Sequence, residues 1–198
     1  MANISTYLLA VIGICFLLQM MLPWFTDAFL FDPLLAISEP WRFITSMFLH
    51  SGFMHLFFNG YALFMFGSLL ERQISRNEYL AIYFGAGLVG ASLYYMTYII
   101  GIIPPIPALG ASGAIYGILG ATAILLPDLR IFFWFFPMNI RHAAILWVAL
   151  EFLGTFDISS GVASAAHLGG LLFGIALAWA IKRQEKESQS WEWQADFA

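Results

Sequence analysis

Residues 110–127 read GASGAIYGILGATAILLP, eighteen positions without a charge, rich in glycine and alanine and closed by Pro127. A run of that length and polarity is a candidate membrane-crossing helix. Working outward, apolar stretches bounded by charge, proline or polar clusters predict five more, giving spans at about 4–25, 51–71, 78–100, 110–127, 140–155 and 163–181. Composition points the same way. Of the 198 residues, 10% are charged, 61% hydrophobic and 18% aromatic, where a soluble domain carries roughly 25% charged residues. Mean hydropathy is +0.82. A water-soluble fold of this size leaves too much surface exposed to hide so much apolar area. The predicted fold class is therefore all-α: a polytopic membrane protein whose single domain, residues 1–181, is a six-helix bundle, followed by a polar cytoplasmic tail over 182–198. The apolar first loop, 26–50, and the aromatic segment Ile131 to Pro137 are expected to lie in the membrane interface.

Several function classes fall away. Cys15 is the single cysteine, so neither an internal disulfide nor a thiolate metal site can form. The net charge of −4 is scattered and leaves no footprint for nucleic acid. The run from Tyr7 to Leu22 lacks a basic leader and a small-residue cleavage pattern, so it is expected to be a retained helix. Six spans put both termini on one side. With the N-terminus inside, Arg72, Arg76, Arg130, Arg141, Lys182, Arg183 and Lys186 fall inside and only Arg42 falls outside, so seven of the eight basic residues share one face. No transit-peptide features are present, which favours a prokaryotic cell membrane.

Polar side chains inside spans are costly and mark candidate sites. Counting at 1.5 Å per residue from the inner boundaries puts Ser112 and His167 each about 22 Å up, near the outer third of a core about 30 Å thick. The same count puts His55 at about 25 Å and Asn59 at about 20 Å. Helices far apart in sequence thus place polar groups in one layer that opens outward. The Pro-rich stretch Ile103 to Pro107 cannot continue a helix, so Ser112 is expected near a helix N-terminus, where free backbone N–H groups and the dipole favour a developing anion. A hydroxyl becomes a nucleophile when a base takes its proton, and His167 is the matching base. His55 and Asn59, at i and i+4, share a face and suit an oxyanion hole. On one α-helix His50 and His55 would stand about 140° apart, which argues against a shared metal; His50 is expected to anchor the first loop at the membrane surface. Arg42 and Glu71 are expected to be structural charges at the interface. Glu151, near the outer end of the fifth span, either reaches water or pairs with a partner that sequence alone does not name. Gly113 with Gly117, and Gly170 with Gly174, form small-xxx-small faces that would bring the fourth and sixth helices together.

Gly110-Ala111-Ser112-Gly113, Ala166-His167-Leu168-Gly169-Gly170 and His50…His55…Asn59 resemble the signature motifs of the rhomboid intramembrane serine proteases. Trp41-Arg42 and Glu71-Arg72 look like two further marks of that family. The resemblance covers Trp41 to Gly174 and matches the minimal six-helix prokaryotic form. It implies a Ser–His dyad with no carboxylate third member and an acyl-enzyme intermediate, Ser112 being the nucleophile and His167 the general base. His55, Asn59 and the Ser112 backbone N–H would stabilise the oxyanion. It further implies that Tyr116 packs beside the catalytic histidine, that no cofactor is needed, and that the partners are transmembrane segments of other proteins, unwound and cut near the outer face. Two competing readings use the same polar layer: a small transporter, which predicts an internal repeat that the two halves do not display, and a catalytically silent rhomboid-like protein that binds membrane clients.

Overall fold

The computed structural model describes residues 3–133, 136–156 and 163–195. Helix α1, Ile4–Met21, is followed at once by α2, Pro23–Phe29. The predicted span 4–25 is thus broken at Leu22, whose backbone is extended (φ −123°, ψ 100°). Proline at the first position of α2 explains the break, since it removes a helical donor and drives the residue before it out of the helical region.

The first loop is folded against the bundle rather than spread as a free segment. It contains α3, Arg42–Thr45, and a 3-10 turn, Ser46–Phe48. Phe31 packs edge-on to Phe43 at 4.9 Å, to Tyr94 at 6.1 Å and to Tyr95 at 6.4 Å. Arg42 is 4% exposed, which corrects the expectation of an interfacial charge. Its Nε donates to Glu39 Oε2 at 2.6 Å, and Nη1 donates to the carbonyls of Asp27 and Leu30 at 2.8 and 2.7 Å. A buried guanidinium is tolerable because these acceptors replace its water.

The second span is helical from Phe53 to Leu70, as α4 (Phe53–Ala62), a π-helical turn (Leu63–Gly67) and α5 (Ser68–Leu70). The wide turn ends at Gly67, where a Cβ would lie 2.5 Å from Ser5 Oγ and 2.6 Å from the Tyr79 hydroxyl. Only glycine admits that approach. Glu71, just beyond, accepts from the backbone N–H of Ile4 and from Ser5 Oγ at 2.8 Å, so its carboxylate sits on the N-terminus of α1, the favourable end of the helix dipole. Helix α6, Arg76–Ile99, opens with a reciprocal cap between Ser75 and Glu78.

Helix α7, Ser112–Leu125, forms the centre. Its length of about 21 Å falls short of a hydrocarbon core of about 30 Å, and its burial shows why it need not be longer: ten of its residues, from Gly113 to Ala123, are buried under neighbouring helices. After it come the antiparallel strands β1 (Arg130–Phe133) and β2 (Phe136–Asn139), with Arg130 opposite Asn139 and Ile131 opposite Met138. This hairpin departs from the purely helical expectation. It falls on the stretch read as interfacial, where branched and aromatic residues favour strand. Helices α8, Ile140–Gly154, and α9, Ser164–Ala195, complete the chain. The last helix does not stop at the predicted tail boundary, and an Arg183–Glu187 pair at i and i+4 (2.8 Å) supports the continuation.

Among the described residues, four segments are long and apolar enough to cross a membrane, Ile4–Met21, Phe53–Leu70, Arg76–Ile99 and Ser164–Glu187, and α7 is a shorter apolar helix. The protein is a polytopic helical membrane protein. Its tightest seam lies between α7 and α9. A Cβ on Gly170 would overlap the carbonyl oxygen of Gly113, and one on Gly174 would overlap that of Gly117. The two glycine pairs meet in register, backbone to backbone. At the far end of the seam Lys182 Nζ donates to Ile124 O at 3.0 Å, capping the carbonyl end of α7.

Candidate active site

The chain that leads into α7 descends into the protein. The Tyr94 hydroxyl donates to Ile106 O at 3.0 Å, Phe31 and Ala108 exchange two backbone hydrogen bonds at 2.9 and 2.8 Å, and Gly110 N donates to Ser46 O at 2.9 Å. The first loop therefore fixes where the helix begins. Gly110 has φ +133°, a conformation that side chains oppose, and a Cβ there would stand 2.8 Å from the His55 ring. Ser112 becomes the first residue of α7, so the backbone N–H groups of that first turn have no intrahelical partner.

His167, on α9, places Nε2 2.7 Å from Ser112 Oγ. The imidazole lies flat on the Tyr116 ring, centroids 4.5 Å apart and planes 5° from parallel. The Tyr116 hydroxyl donates to Glu151 Oε1 at 2.6 Å. That same oxygen lies 3.1 Å from His167 Nδ1, with both side chains about nine-tenths buried. The contact is close but off-line, so it is an ion-pair approach rather than a well-directed hydrogen bond. The Ser164 hydroxyl also faces this carboxylate. Glu151 therefore pairs inside the protein, which resolves the alternative that the sequence left open.

A cavity of about 520 Å³ opens over these groups, and His55, Asn59, Ser112, Ser164 and His167 line it. His55 Nδ1 is 3.0 Å from Ser51 Oγ, and its Nε2 edge lies against Gly110. Asn59 spends one amide hydrogen on the His55 carbonyl, at 2.9 Å, and retains a second. Tyr116, Gly113 and Gly170 stand behind the cavity rather than in its wall.

His50 also lies outside the wall. It precedes α4, so the angle expected for two positions on one helix does not apply: its ring meets that of His55 edge-on at 5.0 Å. It is 2% exposed, and Gln19 of α1 clips its backbone, accepting from His50 N at 2.9 Å and donating to His50 O at 3.2 Å. Sequence reasoning passed over Gln19, although an amide inside an apolar run was the available signal.

A hydroxyl and an imidazole in hydrogen-bond contact, lining a cavity among the helices of a polytopic membrane protein, define a serine–histidine site. Comparison with known proteins narrows the class. Residues 38–184 match the family model described as Rhomboid domain. The chain is 34% identical over 151 residues to "Rhomboid protease GluP" of Bacillus subtilis, covering 76% of this chain and 28% of that protein. It is 31% identical over 153 residues to the YdcA protein of the same organism, covering 76% and 72%. To "Rhomboid protein 1, mitochondrial" of Saccharomyces cerevisiae it is 32% identical over 167 residues, covering 74% and 43%. The chain belongs to the rhomboid family. It spans less than half the length of two of these three relatives.

Proposed function

We propose that this protein is an intramembrane serine endopeptidase that cuts transmembrane segments of other proteins with Ser112 as nucleophile and His167 as general base. The observation that carries the reading is the 2.7 Å contact between His167 Nε2 and Ser112 Oγ at the floor of the cavity. The family relationship supports proteolysis as the reaction. As Oγ attacks the scissile carbonyl, its proton passes to Nε2, and the carbonyl oxygen takes up the negative charge. His55, the second amide hydrogen of Asn59 and the Ser112 backbone N–H share the cavity with the hydroxyl and are the donors assigned to that oxyanion. The Nε2 proton then goes to the leaving amine nitrogen as the C–N bond breaks, leaving an acyl-enzyme. Water, deprotonated by the same nitrogen, completes hydrolysis. The distribution of basic residues supports a cell-membrane location with both termini cytoplasmic, the six helical segments as spans and the cavity open to the outside.

A fluorophosphonate probe tests this directly. Labelling confined to Ser112, lost in both Ser112→Ala and His167→Ala, is the expected result, together with loss of cleavage of a transmembrane substrate. Wild-type cleavage by Ser112→Ala, or no labelling of the wild-type protein, overturns the assignment.

A further inference from the structure

We infer that Glu151 is a positioning residue for this site: its carboxylate holds His167 in the tautomer that carries a proton on Nδ1, so that the Nε2 lone pair faces the Ser112 hydroxyl. The inference rests on the serine–histidine reading above and adds a third member to it, whereas the family resemblance implies a dyad with none.

The argument is geometric. An imidazole has two nitrogens and, when neutral, one proton to share between them. Here Nε2 is committed to Ser112 Oγ at 2.7 Å. Stacking on Tyr116, 5° from parallel, fixes the ring plane, so Nδ1 must point where it does. What it meets is Glu151 Oε1 at 3.1 Å. A lone pair on Nδ1 would confront the lone pairs of the carboxylate; a proton there is attracted instead. The Tyr116 hydroxyl binds the same oxygen at 2.6 Å and so locates the carboxylate with the group that locates the ring. A carboxylate about nine-tenths buried in a membrane helix is costly without such partners. A purely structural Glu151 would need only the tyrosine and Ser164 contacts, and would leave the tautomer indifferent to its charge. In the proposed arrangement the Nδ1 proton stays on the ring through the cycle. Only the proton on Nε2 travels, from Ser112 Oγ to the leaving amine nitrogen, and the carboxylate faces the imidazolium that exists in between.

The test uses the whole protein in detergent micelles with nitrogen-15 in its four histidines, assigned by replacing each in turn. The nitrogen shifts of wild-type His167 at neutral pH are expected to show Nδ1 protonated and Nε2 bare. In Glu151→Gln the negative charge that attracts the Nδ1 proton is gone, so the tautomer with the proton on Nε2 gains at its expense. The kcat for a transmembrane substrate then falls by about 10²- to 10⁴-fold with KM unchanged. Glu151→Asp, which keeps the charge on a shorter stem, is expected to recover part of that loss. A wild-type His167 protonated on Nε2 overturns the inference even if the glutamine variant fails to fold. So does a folded Glu151→Gln protein with wild-type kcat and tautomer. If that variant matches a wild-type protein that reacts with fluorophosphonate at Ser112, only the role of Glu151 falls; if the wild-type protein does not react, the serine–histidine reading falls with it.

Discussion

Gly170→Ala is a small change placed where the structure leaves no room. The added methyl would overlap the carbonyl oxygen of Gly113, which is backbone and cannot swing aside. The helices α7 and α9 must part instead, by about 1.5 Å for ordinary contact to be restored. Ser112 is the residue before Gly113, and His167 is one turn before Gly170, so the parting falls on the active pair. It would stretch the Nε2–Oγ contact from 2.7 Å to a length at which little of the hydrogen bond is left. A misplacement of about 1 Å costs on the order of 10²-fold in rate, and overpacking a tight interface costs about 1–3 kcal/mol. The expected result is therefore fluorophosphonate labelling of Ser112 slowed about 10²-fold, together with a lower melting temperature in detergent. Gly13→Ala is the control: nothing lies within 4 Å of a Cβ there, and both measurements should match wild type. A Gly170→Ala protein that labels at the wild-type rate would refute the claim that backbone contact between these helices sets the serine–histidine distance.

Replacing either oxyanion donor, His55→Ala or Asn59→Ala, should lower kcat for a transmembrane substrate about 10²–10³-fold while the fold is retained; two variants with undiminished kcat would remove both residues from that role. Arg42→Ala strips hydrogen bonds from the carbonyls of Asp27 and Leu30, at about 1–3 kcal/mol for each group left buried and unpaired. Thermal unfolding should show the loss, and the loop that holds Gly110 should become accessible to protease.

The helices were legible because hydropathy reports what a segment must face, and lipid admits few answers. The helical core of each predicted span is present, from Ile4–Met21 to α9. What the pattern could not carry was backbone geometry arising from contact. Leu63 to Gly67 is as apolar as the helix around it; its wide turn reflects the approach of Ser5 and Tyr79 to Gly67, residues 62 positions back and 12 ahead in the chain. Pro23 did announce its break, but an unbroken apolar count hid it. The site divides along the same line. Ser112 and His167 could be matched by depth along their helices. The pairing of Glu151 with His167 Nδ1 could not, because depth says nothing about which way α8 is turned. His50 shows the converse error, a helical angle applied to a residue that lies before the helix starts.

The central position of α7 separates two mechanical environments. Helices such as α1 and α4 present large apolar side chains on the outside of the bundle, among them Ile14, Leu17, Phe57 and Phe58, and must adjust when the surrounding bilayer thins, thickens or changes its acyl chains. The rod bearing Ser112 is sheathed on every side, and glycine backbone clamps it to the rod bearing His167. A change in the surrounding lipid therefore reaches Ser112 only through its neighbours, chiefly through α9, whose Leu172 and Trp179 face outward.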